Sequence, residues 1–376
     1  MSIPQGSLIS YFSTLVKQNG GINLAQGIPG FDPPEELIAA LKEVAGDPIH
    51  QYPPGTGNFK LVSQLSLHLQ PQKELSSDEI LILQGATEAL SLVFLYILKT
   101  NGGPFNTIAF SPPYESYRQL PLQFGLPFTE LQANEAGQIP LEAVAKSIDE
   151  DNTKLVFLAS PGNPHGKIFE PNDINKLIDV CSEKHCYLLF DAAYRSLYFG
   201  KEPYVPFKKL NPYLFIADSF SKLWSVTGWR VGYLIHDASH AAAIRSLHDY
   251  TGLCANSVAQ EALARYAAKN QFGASYSKML RSELRKNFTT AISALTAAGF
   301  KPAQADGGYF VWSELPTEFN DGFEFAKSLY NTTKVAVVPG IHFSPMAKTF
   351  IRINIARPTS ELQEGLKRIQ QFVAKQ

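Results

Sequence analysis

Short, almost wholly apolar runs separated by amphipathic stretches constrain this chain more than any other feature. From about residue 78 the runs are Ile80–Leu83, Thr107–Phe110, Lys154–Ala159, Cys186–Phe190, Leu214–Ala217 and Arg230–Ile235. Between them lie helix-like segments such as Thr87–Lys99, Asn172–His185 and Ala238–Asp249. A strand covered by helices on both faces has no polar side to show, so it reads as continuous Val, Ile, Leu and Phe instead of alternating. The pattern predicts an α/β core built on a mostly parallel sheet sandwiched by helices. After residue 255 the character changes: Ser257–Lys269 and Gly273–Ala298 read as helices, Tyr309–Ser313, Val335–Val338 and Phe350–Ile355 as strands, and Glu361–Ala374 as a last helix. This is the pattern of a second, smaller α+β unit. The first 45 residues carry Pro4, Pro29, Pro33 and Pro34 and are expected to be extended or looped before one helix at Glu35–Val44, folding back on the C-terminal unit as a lid. The expected division is therefore a large domain over 46–255 and a small one made of 1–45 plus 256–376.

Composition narrows the partners. Thirty-three Lys and Arg stand against 34 Asp and Glu, spread along the chain, so no basic stripe exists to neutralise a nucleic-acid backbone. The most apolar run, Ala89–Leu98, is ten residues, half of the ~20 that a spanning helix needs, so no membrane association is expected. No charged-then-apolar leader opens the sequence, which predicts a cytoplasmic protein. Cys181, Cys186 and Cys254 cannot form a disulfide framework and fit no zinc-ribbon or redox spacing, so no metal is expected.

The chemistry gathers behind the apolar runs. There is no dinucleotide fingerprint, Walker loop, His-Glu-x-x-His or Gly-x-Ser-x-Gly, which removes nicotinamide enzymes, P-loop nucleotidases and the common hydrolases. Ser219-Phe220-Ser221-Lys222 follows Leu214–Ala217, and Arg230 stands eight residues on; an amine beside an anion site and a surface lysine in a polar loop both fit. Asp191 ends the Cys186–Phe190 run, where open α/β sheets bind ligands, though an aspartate there can simply cap a helix. Gly85-Ala86-Thr87 opens an apolar helix whose free N–H groups suit an anion, or merely a cap. Asn163 sits in the tight turn Ser160–Gly166, and Tyr114 in Ser111-Pro112-Pro113-Tyr114 could lie over a flat ligand or just pack. One sheet edge that supplies an amine, a carboxylate, an amide, an aromatic ring and an anion cradle describes a site for a phosphorylated pyridine aldehyde.

These residues closely resemble the class I/II pyridoxal-phosphate aminotransferases of the aspartate aminotransferase superfamily (fold type I). The likeness runs from Gln26-Gly27-Ile28-Pro29 to Arg352-Ile353-Asn354-Ile355-Ala356. It implies the PLP transferase fold, with a seven-stranded-type sheet, and pyridoxal 5′-phosphate as cofactor. By matching position, Lys222 forms the internal aldimine and moves the proton between Cα and C4′. Asp191 pairs with the pyridinium nitrogen, and Asn163 and Tyr194 bond the ring's phenolic oxygen. Tyr114 stacks on the ring, while Gly85, Ala86, Thr87, Arg230 and Ser219, Ser221 or both hold the phosphate. Arg352 clamps the substrate carboxylate, helped by Asn163 and the Gly27 backbone. A tyrosine matching Tyr52 reaches the neighbouring subunit's phosphate, which implies a homodimer with shared sites, and cis bonds are common before the prolines matching Pro112 and Pro164. The chain departs from the family pattern at His165, Ser111 and Lys60. A histidine at 165 titrates near neutrality beside the site or stands there as a spectator.

For the substrate, no arginine precedes Arg118, and the N-terminal segment instead carries Ile9, Tyr11, Phe12, Leu15 and Phe31. An apolar lid favours a neutral or aromatic side chain, since a second carboxylate without a cation is costly to desolvate; the same residues could merely dock the lid. The segments Asn23–Pro33 and Gly85–Leu90 look most like the methionine, glutamine and kynurenine transaminase branch. The expected activity is transfer of an amino group from such an amino acid to a 2-oxo acid. The rivals are a carbon–sulfur β-lyase on the same scaffold, an aspartate-type aminotransferase and a non-catalytic regulatory relative.

Overall fold

The computed structural model describes residues 4–133 and 138–375. Its centre is a seven-stranded sheet in the order Ile80–Leu83, Gly232–Ile235, Leu214–Ser219, Tyr187–Asp191, Thr153–Ala159, Asn106–Phe110, Phe128–Leu131. All neighbours pair in parallel except Gly232–Ile235, which is antiparallel to both strands beside it. The runs read as strands are therefore strands, and the sheet is mostly parallel. Arg230–Ile235 looks no different in sequence because burial on both faces, not direction, makes it apolar. The edge strand Phe128–Leu131 gives no such run: all four of its residues are only half buried.

Period-2 alternation splits each strand between two cores. Ile80, Ile82, Leu214 and Ile216 face one apolar layer, whereas Leu81, Leu83, Phe215 and Ala217 face the other. The second layer is roofed by helix Ala86–Asn101, whose Ala89, Leu90, Val93, Phe94 and Ile97 are buried. A smaller unit holds a four-stranded antiparallel sheet, with Phe350–Asn354 between Val338–Pro339 and Phe310–Glu314, under the helices Ala274–Ala297, Gly322–Thr333 and Thr359–Val373. The Val335–Val338 run is split. Val335-Ala336 pairs in parallel with Ile22-Asn23, and Val338-Pro339 with the four-stranded sheet.

One expectation for the N-terminal region is corrected. Residues 8–19 are a helix, Leu8–Asn19, begun by the Ser7 side chain and ended at Gly20; Leu8 and Phe12 fall four apart on its buried face. The helices Glu35–Val44 and Ser257–Lys269 join the large core through Leu37, Val44, Ala259, Ala262, Leu263 and Tyr266. These two helices, which flank the expected boundaries at 45 and 256, thus pack into the large core. Among the described residues no helix is long and apolar enough to cross a membrane.

Candidate active site

Six strands of the large sheet run the same way, so the loops that leave them gather at one edge; Gly232–Ile235 runs back and starts at that edge. Here lies a cavity of about 330 Å³. It is lined by Gly27, Ala86, Thr87, Tyr114, Asn163, Asp191, Tyr194, Ser219, Ser221, Lys222, Arg230 and Arg352. Of the residues singled out in the sequence, Gly85 touches this group from behind and Tyr52 is elsewhere, 82% exposed on the outer surface.

One end of the cavity is built for an anion. Helix Ala86–Asn101 points its free N–H groups there from an N-cap at Gly85 with φ 85°. A Cβ at Gly85 would lie 2.6 Å from Nη2 of Arg230, so only glycine lets the guanidinium close on the turn. Arg230 is fixed by donating to Thr227 O at 3.1 Å and Gln84 O at 3.2 Å. The two serines differ. Ser219 Oγ accepts from Ser221 N at 3.0 Å and donates to Val231 O at 3.3 Å, whereas Ser221 Oγ is buried without a partner among the described residues. An orphaned hydroxyl, a guanidinium and a helix N-terminus on one spot suit a phosphate group.

Beside the anion end the cavity gathers a carboxylate, an amide and three tyrosines, groups that suit a slot for a flat ring with a basic nitrogen. Asp191 ends its strand in the buried layer, accepting from Ala193 N at 2.9 Å and from Tyr117 Oη at 2.7 Å. Burial raises its carboxyl above the usual carboxylate range, while Tyr117 and Ala193 pull the other way. Tyr117 is a site residue that the motifs did not reveal; its only signal is a second tyrosine three residues after Tyr114, one helical turn on. Asn163 Oδ1 accepts from Arg352 Nη1 at 2.9 Å, which leaves its amide hydrogens for the cavity. Burial holds the Tyr114 and Tyr194 hydroxyls well above their ordinary range, so both are neutral donors. The Asn163 turn and the Tyr114 loop both contain cis X-Pro bonds, at Ser111-Pro112, Ser160-Pro161 and Asn163-Pro164. His165 is not a titrating neighbour: its Nδ1 accepts from Lys167 N at 3.0 Å, and burial lowers its pKa to about 4. Lys60 lies apart, paired with Glu261 at 2.8 Å.

Lys222 follows Ser221 in the short helix Phe220–Leu223 and donates to Gly27 O. Burial first, then Arg352 and Arg230, lower its pKa to about 7. A neutral amine at ordinary pH is a nucleophile and a base. Arg352, 1% exposed, gives Nη1 to Asn163 and Nη2 to Ala25 O at 2.6 Å and lies 4.0 Å over the Phe310 ring, while its Nε is buried without a partner among the described residues. Burial lowers its pKa to about 10, against the raising effect of Glu115; it remains a cation. A Cβ at Gly27 would meet Phe310 at 2.8 Å, so this wall also needs glycine. Ser7, Ile9 and Ser10 of the N-terminal helix region, with Leu90, Glu115 and Thr227, also line the cavity and were not placed at the site from sequence, Ile9 excepted as a lid residue.

A family model described as aminotransferase class I and II matches residues 19–369. The chain belongs to this family. The aminotransferase is 27% identical to the probable N-acetyl-LL-diaminopimelate aminotransferase of Bacillus subtilis over 98% of this chain and 93% of that one. It is 26% identical to the methionine aminotransferase of Escherichia coli over 97% and 96%. In fold it matches the aspartate aminotransferase of Thermus thermophilus with a TM-score of 0.89 at 23% identity, covering 98% and 97% of the two chains. Enzymes of this family use pyridoxal 5′-phosphate, and the aminotransferase has the groups to fit it: the orphaned Ser221 hydroxyl and Arg230 at the anion end, buried Asp191 in the slot and the neutral amine of Lys222 between them.

Proposed function

We propose that this aminotransferase takes the amino group of a neutral or aromatic L-amino acid and passes it to a 2-oxo acid. Its relatives of similar identity are named for diaminopimelate derivatives, aspartate and methionine, so the substrate has to be argued from the cavity. The observation that carries the reading is the count of cations. Among the described residues Lys222, Arg230 and Arg352 are the cations lining the cavity, and each has a duty, which leaves none for a second substrate carboxylate. Ile9, Ile28, Leu90 and Phe310 supply an apolar wall instead.

In this reading the bound cofactor supplies an electron sink that acidifies the substrate Cα–H bond. Asp191, held by Tyr117 and Ala193, keeps the ring nitrogen protonated. Asn163 and Tyr194 donate to the phenolic oxygen, Tyr114 covers the ring, and Gly85, Ala86, Thr87, Ser219, Ser221 and Arg230 hold the phosphate. The Lys222 amine takes the proton from Cα and returns it at C4′. Arg352 receives the α-carboxylate through Nε and the second hydrogen on Nη2, a side-on fork that needs no existing bond to break. We further propose a homodimer in which Tyr52 of the partner subunit completes the phosphate site; Tyr52, Phe59 and Tyr250 are 82%, 73% and 91% exposed, a surface that a second copy would cover.

The test is a visible absorption titration of the purified holoenzyme with methionine, glutamine, phenylalanine, kynurenine and aspartate. Loss of the lysine-bound cofactor band with the neutral and aromatic substrates, and its return on adding a 2-oxo acid, is expected. Preferential conversion by aspartate refutes the substrate class, and ammonia and pyruvate released without an acceptor would make the enzyme a β-lyase.

A further inference from the structure

Two carboxylates line the cavity, and they are not alike. Asp191 is held by a hydroxyl and a backbone N–H. Glu115, the first residue of helix Glu115–Gln123, is only 15% exposed in its side chain. Its Oε1 is 3.5 Å from Nε2 of His342, itself 7% exposed, and its Oε2 is buried with no hydrogen-bond partner among the described residues. Such a group in a substrate cavity is an acceptor that lacks its donor.

Its position can be fixed from its neighbours. Glu115 follows Tyr114 directly, and its charge acts on Tyr114, Tyr194 and Arg352 alike. Its neighbour His342 packs against Phe343, whose ring lies 4.9 Å from the Arg352 guanidinium carbon, so Glu115 stands on the Arg352 side of the ring slot. Phe310 lies against the same guanidinium, and Ile9 and Ile28 line the same cavity. A substrate whose α-carboxylate rests on Arg352 has its side chain to place in this region, and beyond the apolar lining the ionisable group it meets is Glu115. Resting on the aminotransferase reading above, we propose that Glu115, backed by His342, selects amino acids whose neutral side chain ends in an N–H donor, a carboxamide above all, and repels the isosteric carboxylate. A carboxamide supplies the missing donor to Oε2; a carboxylate of the same shape sets two like charges face to face with no cation to spare.

Glutamine and glutamate are the matching probes, since they differ only in that terminal group. Binding is read with 2-methylglutamine and 2-methylglutamate, which have no Cα proton to lose, as dissociation constants from the spectral change of the holoenzyme; the first half-reaction is then timed with glutamine and glutamate. The native enzyme is expected to favour the amide by about 100-fold or more in both readouts. Glu115→Gln, which can both donate and accept, should bring the ratio to within about tenfold, mainly by gain of the carboxylate. Glu115→Met, with an apolar wall, should lose affinity for the amide and keep its rejection of the carboxylate, and it serves where the first variant fails to fold. An amide-to-carboxylate ratio that neither variant moves overturns the assignment of Glu115 and leaves the aminotransferase reading intact. A native enzyme whose cofactor band responds to no amino acid at all overturns the aminotransferase reading itself.

Discussion

The titration of Lys222 is the most exposed consequence of the site's geometry. Its ammonium form has three things against it: burial, the Arg352 guanidinium and the Arg230 guanidinium; the Gly27 carbonyl accepts a bond from either protonation state. With a pKa of about 7, roughly nine-tenths of the amine is neutral at pH 8, against ~0.3% for a lysine at its ordinary pKa of about 10.5. The ratio, about 300-fold, is the advantage in neutral amine that the site gives to capture of an aldehyde at pH 8. The assay is competitive labelling of the cofactor-free protein with a trace of acetic anhydride between pH 5.5 and 10. Acetylation at Lys222 and of a lysine-containing reference peptide added to the same tube is read by mass spectrometry. Lys222 should reach its labelling plateau near pH 8, with a midpoint near 7, while the reference peptide is still rising at pH 10. Replacing Arg352 by Met removes the stronger of the two cations, so the midpoint should move up. A Lys222 midpoint level with the reference peptide, or one that Arg352→Met leaves in place, would refute the electrostatic argument.

Other outcomes follow from the same geometry. Tyr117→Phe removes a donor that opposes the upward shift of Asp191, so the acid limb of the pH–rate profile should move to higher pH, and an unmoved limb would detach Tyr117 from the chemistry. Arg352→Ala should weaken binding of a 2-methyl amino acid by about 2–5 kcal/mol, seen as a rise in its dissociation constant; unchanged affinity would reject the clamp. Gly85→Ala forces a backbone conformation that costs about 1–3 kcal/mol in other residues and pushes a methyl group into Arg230, so the cofactor dissociation constant should rise while that for amino acids in the loaded enzyme changes little. Mixing two inactive proteins, Tyr52→Ala and Lys222→Ala, should restore activity only if sites are shared between subunits, because the mixed dimer then holds one site with its own Lys222 and the partner's Tyr52; no recovery after subunit exchange would argue for self-contained sites.

The sheet and most of its cavity were legible in the sequence because the information is local. Each of these apolar runs is followed within about five residues by the groups that face the cavity, so Asp191, Asn163, Lys222 and the Gly85 turn could be placed at one edge without knowing the strand order. What stayed hidden depends on what an element packs against. The helix Ser257–Lys269 shows its periodicity plainly, but nothing in that period says which core it serves. The N-terminal helix was masked by the prolines and glycines around it, although Leu8 and Phe12 sit at helical spacing. Glu115 and Tyr117 belong to the first turn of a helix whose start is not marked by a side-chain cap, so their inward direction could not be read from the motif beside them. Ser219 and Ser221 were indistinguishable until the hydrogen bonds showed that one hydroxyl is spent on the backbone and the other is not.

Arg352 belongs by strand to the small unit, yet it is bonded to Asn163, 189 positions away in a turn at the edge of the large sheet, and to Ala25, 327 positions away in the N-terminal stretch. Three distant parts of the chain are thus tied at a single guanidinium, and it is there that a substrate carboxylate arrives. Recognition and the relative placement of the two units then form one equilibrium: whatever the ligand gains at Arg352 is also a force on the seam between them. An amino acid that fits only one placement will hold the enzyme in it, in proportion to its preference for that placement and not to its affinity alone. A substrate analogue can therefore work as a lock on the molecule's shape even where it is a poor substrate.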